Sequence, residues 1–231
     1  MRKRSKRYEE AAKKIDRSKL YQAREALGLL KSLPAPKFDE SIDVVVRLGI
    51  DPKKTDQLVR GAVSLPKGLG KTVKVVVFAE GDKAEAARGA GADLVGSGDL
   101  ADKILGGWMD FDIVIASPDM MKHVGKLGKV LGPQGKMPSP KSGTVTADVG
   151  AAVKEFKAGK VEFRTDAGGN VHAPLGKRSF AVEDLQANLT AFLEHISGMR
   201  PPAVKGEFLR KISLSTTMGP GLAISWEVTH A

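Results

Sequence analysis

The sequence predicts an α+β domain assembled from both ends of the chain, with an α/β domain inserted between them. In the middle of the chain, short apolar segments alternate with helical patterns, which is typical of a parallel sheet covered by helices on both faces. Each flank offers strands and one amphipathic helix, but neither offers enough apolar segments to close a core alone. We therefore predict a discontinuous domain of residues 1–68 and 159–231 and an inserted domain of residues 69–158.

The charge distribution supports this division. The chain has 231 residues, with 37 Lys and Arg against 27 Asp and Glu, which gives a formal net charge of +10. Residues 69–158 hold 12 Lys and Arg against 11 Asp and Glu, whereas the two flanks together hold 25 against 16. Nearly all of the net positive charge therefore belongs to the predicted discontinuous domain, which favours an anionic partner such as nucleic acid.

The composition excludes several kinds of site. The chain has no cysteine, so disulfides, thiolate metal sites and a cysteine nucleophile are excluded. No apolar run approaches membrane-spanning length, and the basic N-terminal arm is not followed by an apolar segment. We expect a cytoplasmic protein with no membrane partner. The arm, which includes Arg2, Lys3 and Arg7, could contact phosphate or remain a solvated tail.

The first flank is predicted to form a helix, a strand and a second helix. Apolar residues recur at helical spacing over Tyr21–Leu33, and Ile42–Ile50 alternates as a half-buried strand does. Asp51 followed by Pro52 has the residue types of a helix start. We therefore expect a helix over Gln57–Val63.

The insert is predicted to alternate strands with helices. The predicted strands are Val73–Glu80, Ala92–Val95 and Phe111–Ser117, and the predicted helices are Asp82–Gly89, Leu100–Leu105, Asp119–Leu131 and Val149–Phe156. This order predicts parallel strands with helical crossovers. Residues 132–145, rich in Gly, Pro and Lys, are the longest stretch without a predicted element.

The second flank is predicted to contain a hairpin, a long helix and two more strands. The predicted strands are Lys160–Thr165, Asn170–Pro174, Gly206–Ser215 and Leu222–Val228. Residues 166–169 are typical of a hairpin turn between the first two strands. A helix that begins at Val182 should end at Gly198.

Two glycine-rich segments invite a nucleotide-binding interpretation that their residues do not support. Gly70–Thr72 lacks the earlier glycine of a phosphate-binding loop and precedes a strand instead of opening a helix. Gly96–Asp99 follows a strand, but its Asp99 would place a carboxylate where a pyrophosphate should lie. We expect no nucleotide cofactor.

No pattern of catalytic or metal-binding residues is present. The four histidines, at positions 123, 172, 195 and 230, have no ligand spacing, and Asp110 and Asp112 are better explained as solvated or capping carboxylates. We therefore expect no catalytic residue, no metal ligand and no enzyme activity. A DNA-binding protein is disfavoured because no helix concentrates Arg and Asn for a major groove.

Two segments of the flanks suit contact with a polyanion. A strand that ends in Thr216–Gly219 would display hydroxyls, a thioether and a glycine next to one another. Phe38 stands beside Lys37 at the mouth of a strand, where an aromatic ring could stack on a nucleotide. Alternatively, Thr216–Gly219 is only the end of a Thr-rich strand that leads into a Pro-Gly turn. The alternative for Phe38 is a structural one, in which its ring closes the end of the core.

Seven motifs, in order along almost the whole chain, carry a family resemblance. They are Phe38–Glu40, Gly49–Pro52, Gly61–Lys71, Leu131–Lys141, Gly159–Arg164, His172–Pro174 and Ser215–Gly219. Together they resemble the bacterial members of the ribosomal protein L-one family. The resemblance implies a discontinuous α+β domain with a Rossmann-like insert. It also implies a structural role in the large ribosomal subunit, where such proteins bind rRNA to form the mobile stalk beside the exit-site tRNA, assist release of deacylated tRNA and repress translation of their own operon by binding its mRNA.

The resemblance also assigns residues. It implies that RNA contacts come from three segments, namely Lys37, Phe38 and Glu40; Arg164, Asp166, Gly168 and His172; and Ser215, Thr216, Thr217, Met218 and Gly219. Lys37 and Arg164 would supply positive charge to phosphates, which positions RNA without reading its sequence. A secondary RNA contact is expected at Lys136 and Lys141. Hinge motion is expected at Gly68, Gly70 and Gly159.

Overall fold

The computed structural model describes residues 4–226 and separates into two compact units. One unit contains the chain up to Gly70 and from Phe163 onward, and the other contains Lys71–Glu162. These limits lie a few residues after the positions 68 and 158 at which the sequence places the division. The predicted fold class, an α+β domain with an inserted α/β domain, is confirmed.

The elements follow one another in this order: α1 (Lys6–Lys13), α2 (Ala23–Ser32), β1 (Ser41–Leu48), β2 (Arg60–Ser64), β3 (Val75–Phe78), α3 (Asp82–Gly89), β4 (Leu94–Gly96), α4 (Gly98–Leu105), β5 (Ile113–Ala116), α5 (Met121–Lys126), α6 (Gly128–Leu131), α7 (Val149–Ala158), β6 (Lys160–Arg164), β7 (Asn170–Lys177), α8 (Val182–Gly198), β8 (Leu209–Thr216) and β9 (Leu222–Ile224). No helix in the described part of the chain is long and apolar enough to cross a membrane.

A four-stranded antiparallel sheet of order β7-β1-β8-β9 forms the centre of the discontinuous unit. Side chains of β1 alternate between the two faces, and Ile42, Val44 and Val46 are fully buried. They face the layer made by α2 and α8, which pack against each other and against the sheet. The alternate residues, from Ser41 to Arg47, lie on the opposite, more exposed face, which we call the open face.

The register of the strands sets side chains of the open face next to one another. Val45 lies opposite His172 on β7 and opposite Ser213 on β8. The same pairing sets Asp43 beside Ser215. Hydroxyl, imidazole and carboxylate groups from three strands therefore share one surface.

The insert contains a parallel three-stranded sheet of order β4-β3-β5 with helices on both faces. On one face, Phe78 and its neighbours pack with residues of α4, α5 and α6. On the other, Val77 and Ile115 pack with residues of α3 and α7, including Phe156. Because both faces are covered, β3 is apolar at every position, as expected for a central parallel strand.

The predicted helix over Gln57–Val63 is wrong. The chain forms a short 3-10 helix at Thr55–Gln57 and then the strand β2. Asp51, read as a helix cap, closes a tight turn instead, in which its side chain accepts a hydrogen bond from the Lys53 amide at 3.1 Å. The alternating burial of β2 is the period of a strand, which a window of seven residues does not separate from a helix.

The predicted hairpin at residues 166–169 is present as a turn but not as a pair of strands. β6 belongs to a two-stranded sheet with β2, whereas β7 pairs with β1. The two strands that flank the turn share only an isolated bridge between Thr165 and Val171. The chain therefore turns at Asp166 to pass from one sheet into another.

Two other predicted elements have different limits. The helix predicted over Asp119–Leu131 is divided into a 3-10 turn at Pro118–Met120 followed by α5 and α6. The strand predicted over Leu222–Val228 ends at Ile224, and its last two residues lie outside the described part of the chain. Arg2, Lys3 and His230 lie outside it as well.

Candidate nucleic-acid interface

A buried carboxylate organises the end of β8. The side chain of Glu40, which immediately precedes β1, is only 1% exposed. Its Oε1 accepts a hydrogen bond from the Met218 amide at 3.0 Å, and its Oε2 accepts one from Arg178 Nη1 at 3.0 Å. The carboxylate thus ties the start of β1 to the loop after β8 and to the end of β7.

Arg178 extends this network to the helical layer. Its Nη2 donates to the main-chain oxygens of Lys31, at 2.7 Å, and Leu33, at the C-terminal end of α2. A guanidinium suits this place because helix C-terminal carbonyls lack intrahelical partners. The sequence does not reveal this role, since no local pattern links Arg178 to residues about 140 positions earlier.

The described part of the basic arm reaches the same network. Helix α1 begins after Ser5, whose hydroxyl accepts a hydrogen bond from the Tyr8 amide as an N-cap. From this helix, Arg7 places Nη1 3.9 Å from Glu40 Oε1 and donates from Nη2 to the Met218 oxygen at 3.5 Å. Residues 4–13 therefore join the candidate interface as a helix with its own contacts.

Thr217 continues the pairing between β8 and β1 beyond the regular strand. Its amide donates to the Ser41 oxygen at 3.0 Å, and its Oγ1 accepts from the Ser41 amide at 3.0 Å. The side chain still reaches solvent, but its hydroxyl oxygen is already engaged by the main chain. Its first role in this structure is to hold the loop.

Position 219 requires a glycine because the Thr216 side chain occupies the space of a Cβ atom. Its amide donates to the Thr216 oxygen at 3.1 Å, which closes a tight turn. A Cβ atom at this position would overlap Thr216 Oγ1. The sequence-based explanation, an approach of ligand backbone, is therefore unnecessary to account for this glycine.

Two of the residues expected to contact RNA are buried. Glu40 and Thr216 expose 1% and 4% of their surface, so neither can form a direct contact without rearrangement. We correct their expected role from contact to positioning. Glu40 holds the main chain of Met218, whose side chain is 52% exposed. Phe38, two residues before Glu40, is 54% exposed. Lys37, beside Phe38, is exposed as well.

The turn between β6 and β7 is built around one carboxylate. Asp166 Oδ1 accepts hydrogen bonds from the amides of Asn170 at 2.7 Å and Gly168 at 2.8 Å. These bonds, those from the Asn170 side chain and the contact with His172 hold the pKa of Asp166 well below its usual range. His172 Nε2 lies 3.2 Å from Asp166 Oδ2, so this turn also orients an exposed imidazole on the open face.

Arg164 and Ser215 lie on two different strands beside this turn and this face. Arg164 is exposed at the last position of β6. Ser215 is half-buried opposite Asp43, whose pKa is raised because burial penalises its charged form, while Lys177 and His172 act in the opposite direction. The Asp43 carboxylate can accept a hydrogen bond from a ribose hydroxyl, and the Ser215 hydroxyl beside it can accept one or donate one.

The two lysines expected to form a secondary contact have different surroundings. Lys136 Nζ donates to the Phe111 oxygen at 2.6 Å and lies 4.8 Å from the centre of the Phe111 ring. This ammonium group is therefore engaged within the insert, which argues against its expected role in RNA contact. Lys141, on the short 3-10 helix Pro140–Ser142, is exposed.

The three glycines expected to act as hinges all have positive φ angles, of 65° at Gly68, 65° at Gly70 and 114° at Gly159. Asn188, fully buried on α8, donates to the Gly68 oxygen at 3.0 Å and accepts from the Lys67 amide at 3.0 Å. A Cβ at Gly70 would overlap the Phe180 ring. The first connection is thus fixed to the discontinuous unit as far as Gly70.

Neither a catalytic constellation nor a metal site emerges from the described residues. Within residues 4–226, no group of three or more His, Asp or Glu side chains could hold a metal ion. The candidate interface instead presents exposed Phe38, exposed Met218 on the loop that buried Glu40 holds, and exposed His172 beside Asp166.

Comparison with known proteins identifies the family. Residues 29–220 match the ribosomal protein L1p/L10e family. The chain is 60% identical over 224 residues to the large ribosomal subunit protein uL1 of Bordetella pertussis and 56% identical over 224 residues to that of Kosmotoga olearia, with 97% of each chain covered. It is 57% identical over 222 residues to the protein of the same name from Cutibacterium acnes, with 96% of each chain covered. This chain therefore belongs to the ribosomal protein L1p/L10e family.

Proposed function

We propose that this chain is a structural protein of the large ribosomal subunit that binds a folded region of large-subunit rRNA through its discontinuous unit. As a ribosomal protein it would act in the cytoplasm. The observation that carries the proposal is the loop Thr216–Gly219, which buried Glu40 fixes in place while Met218 and Phe38 remain exposed. Isolated exposed side chains are ordinary, but an exposed Met218 on a loop that a buried ionic network fixes needs an explanation.

The chemistry of the surface fits RNA. Phe38 can stack on an unpaired base, and Met218 can lie against a sugar or a base face. The hydroxyl and carboxylate groups of the open face can bond ribose hydroxyls in the wide minor groove of an RNA helix. Lys37 and Arg164 can contact phosphates, which fixes orientation without reading sequence.

Preorganisation supports the same proposal. The loop that carries Met218 is held by Glu40, by Ser41 and by its own turn at Gly219. Ordering a loop during binding costs free energy, so a loop that is fixed beforehand binds more tightly for the same contacts. The buried polar residues therefore contribute to RNA affinity without touching RNA.

We further propose that the bound RNA and this chain form the mobile stalk beside the exit site, where the insert assists release of deacylated tRNA. The insert has almost no net charge, which suits a part that approaches tRNA and leaves it again. Because contacts fix the first connection as far as Gly70, we place its flexible point after that residue. Gly159, whose positive φ ends α7, remains the proposed flexible point of the second connection.

We also propose that the same surface binds the mRNA of the chain's own operon and represses its translation. A single surface that serves two RNAs makes their binding mutually exclusive. A stalk-region rRNA fragment should therefore displace an own-operon mRNA leader from the protein, and Phe38→Ala should weaken both complexes to a similar extent.

The variant that tests RNA binding most directly is Phe38→Ala in the full chain. We expect the Kd for a stalk-region rRNA fragment to rise by a factor that corresponds to about 1–3 kcal/mol, the usual contribution of one base–aromatic stack. The melting temperature should hardly change, because the ring is more than half exposed.

The matched control is Leu58→Ala, which truncates another exposed apolar side chain of the same unit, 44% exposed. It should leave the Kd unchanged. If both variants bind as the wild type does, Phe38 is a surface residue without a part in recognition. If Phe38→Ala unfolds at a clearly lower temperature, Phe38 serves the core and not RNA.

A further inference from the structure

Two cations face each other on the open face without an acidic partner. Arg47 on β1 and Lys211 on β8 occupy directly opposite positions in the antiparallel pair. Both side chains are exposed. Within residues 4–226, neither forms a hydrogen bond or an ion pair. We call Arg47 and Lys211 the basic pair.

Such an arrangement is unfavourable in the free protein. Like charges directly opposite each other on neighbouring strands destabilise a sheet. Within β1 itself, the nearest open-face carboxylate is Asp43, four residues away and thus about 13 Å along the strand. The Asp166 carboxylate also lies toward this face, because it bonds the side chain of Asn170, which stands opposite Arg47, but Asn170, Gly168 and His172 already engage its oxygens. The intervening open-face positions, Val45 and its neighbour Ser213, carry no charge. Within residues 4–226, no ion pair offsets the repulsion between Arg47 and Lys211, and a bound anion would relieve it.

Further cations lie at the β8 end of the basic pair, around a groove that extends toward the end of α8. The groove, of about 450 Å³, adjoins Lys211 and is lined by residues of β8, of β9 and of the end of α8. Among residues 4–226, its charged lining residues are Arg200, Arg210, Lys211 and the acid Glu207. Arg200 is occupied by the oxygens of Val204 and Gly206, whereas Arg210 is exposed.

We propose that the basic pair binds the phosphate backbone of the same RNA that the Met218 loop engages, as a second contact at the other end of the open face. This inference rests on the proposed RNA-binding function and extends its footprint. From Ser41, next to that loop, to Arg47 the strand spans about 20 Å, a distance of several nucleotides. Phosphate contacts so far apart fix the direction in which the RNA crosses the sheet.

Charge removal at the basic pair tests the proposal. In the full chain, Arg47→Gln with Lys211→Gln should lower the slope of log K against log salt for a stalk-region rRNA fragment by about 1–2, since each phosphate contact contributes about 0.7–0.9. The Kd at moderate salt should rise about tenfold or more. The preference for the stalk fragment over an unrelated duplex RNA should persist, because phosphate contacts do not read sequence.

The control is Arg24→Gln with Lys67→Gln, which removes the same charge from the helical layer on the opposite side of the sheet. Those residues pair with Glu183 and Asp184 of α8. This control should leave the salt slope unchanged. If it lowers the slope as much as the double variant of the basic pair does, net charge alone is responsible and the proposal is overturned.

The stability of the free protein provides a second readout. Removal of a like-charge repulsion should leave the melting temperature of the basic-pair variant unchanged or raise it. A clear fall would mean that these side chains hold the sheet, which contradicts the proposal. If Phe38→Ala weakens binding while the basic-pair variant has the wild-type salt slope, the second contact is refuted and the proposed function stands. If the wild type does not prefer the stalk fragment, the proposed function fails and this inference with it.

Discussion

At the scale of single residues, Glu40 determines the shape of the exposed loop. Its side chain is buried, accepts a hydrogen bond from the Met218 amide and forms an ion pair with Arg178. A buried ion pair gives little net stability compared with apolar residues, but loss of one partner leaves the other charge buried without compensation. The pair therefore acts as a constraint on where Met218 can lie.

Glu40→Gln should lower the free energy of unfolding by about 3 kcal/mol, because the amide cannot neutralise Arg178. Chemical denaturation of the full chain measures this change. Glu183→Gln, which breaks the exposed pair with Arg24, should cost less than about 1 kcal/mol and serves as the control. Equal effects of the two substitutions would show that Glu40 has no special role.

The sequence indicates several of these residues but not their roles. Thr216, Thr217, Met218 and Gly219 are recognisable as a break in strand alternation. That Thr216 is buried, and that Gly219 makes room for its hydroxyl, follows only from the turn geometry. Exposure is decided by tertiary packing, which a local pattern does not contain.

At the scale of elements, the Asp166 turn has a distinct pH dependence. Hydrogen bonds to the ionised carboxylate lower the pKa of Asp166 in the folded state. The folded state therefore favours the ionised form more than the unfolded state does. This contribution to stability is complete above the ordinary carboxyl pKa of about 4 and is lost as pH falls toward the lowered value.

Asp166→Asn should accordingly destabilise the protein most at neutral pH, and its difference from the wild type should shrink below about pH 4. Thermal unfolding from pH 7 to pH 2 measures this trend, with Asp56→Asn as an exposed control. A difference that stays constant to the lowest pH would contradict the assigned role of the carboxylate.

A second feature at this scale is the attachment of the first connection between the units, at Lys67 and Gly68, to α8. The Asn188 side chain satisfies three main-chain groups, those of Lys67, Gly68 and Leu175. Asn188→Ala would remove all three bonds, one of them to buried Leu175, so we expect a loss of about 2–4 kcal/mol in the free energy of unfolding.

The same substitution should make the chain more susceptible to trypsin after Lys67, because the segment up to Gly70 is released from α8. Gln186→Ala, on the same helix, is the control and should change neither stability nor cleavage. Unchanged cleavage after Lys67 in Asn188→Ala would argue that the attachment does not restrain the connection.

Secondary structure follows from the sequence where periodicity extends over a whole element. The long helix α8 and the alternation in the insert are predicted closely, because each has many residues of one period. The strand β2 and the pairing of β6 are not. Their conformation depends on partners distant in sequence, and short segments carry too few residues to reveal the period.

At the scale of the whole molecule, the net charge is divided in the same way as the fold. The α+β unit holds nearly all of the net positive charge, and the insert is close to neutral. Membership in a family of ribosomal structural proteins confirms the prediction that the chain is not an enzyme. The division into a basic unit and a neutral one is consistent with the proposal that one holds RNA while the other moves.

The proposed function requires that the α+β unit recognise a specific RNA and not only attract RNA by its positive charge. Non-specific attraction between a basic protein and RNA decreases steeply with salt and hardly distinguishes one RNA from another. The proposed contacts from Phe38 and Met218 to bases and sugars should depend much less on salt. Salt therefore separates the two contributions.

The most direct measurement is a salt titration of the binding of the full wild-type chain to a stalk-region rRNA fragment and to an unrelated duplex RNA. We predict tight binding to the stalk fragment that persists at high salt, together with weak and steeply salt-dependent binding to the duplex. Equal affinities with equal slopes would contradict the account, because they would mean that the exposed loop beside Glu40 adds nothing to the attraction of a basic surface.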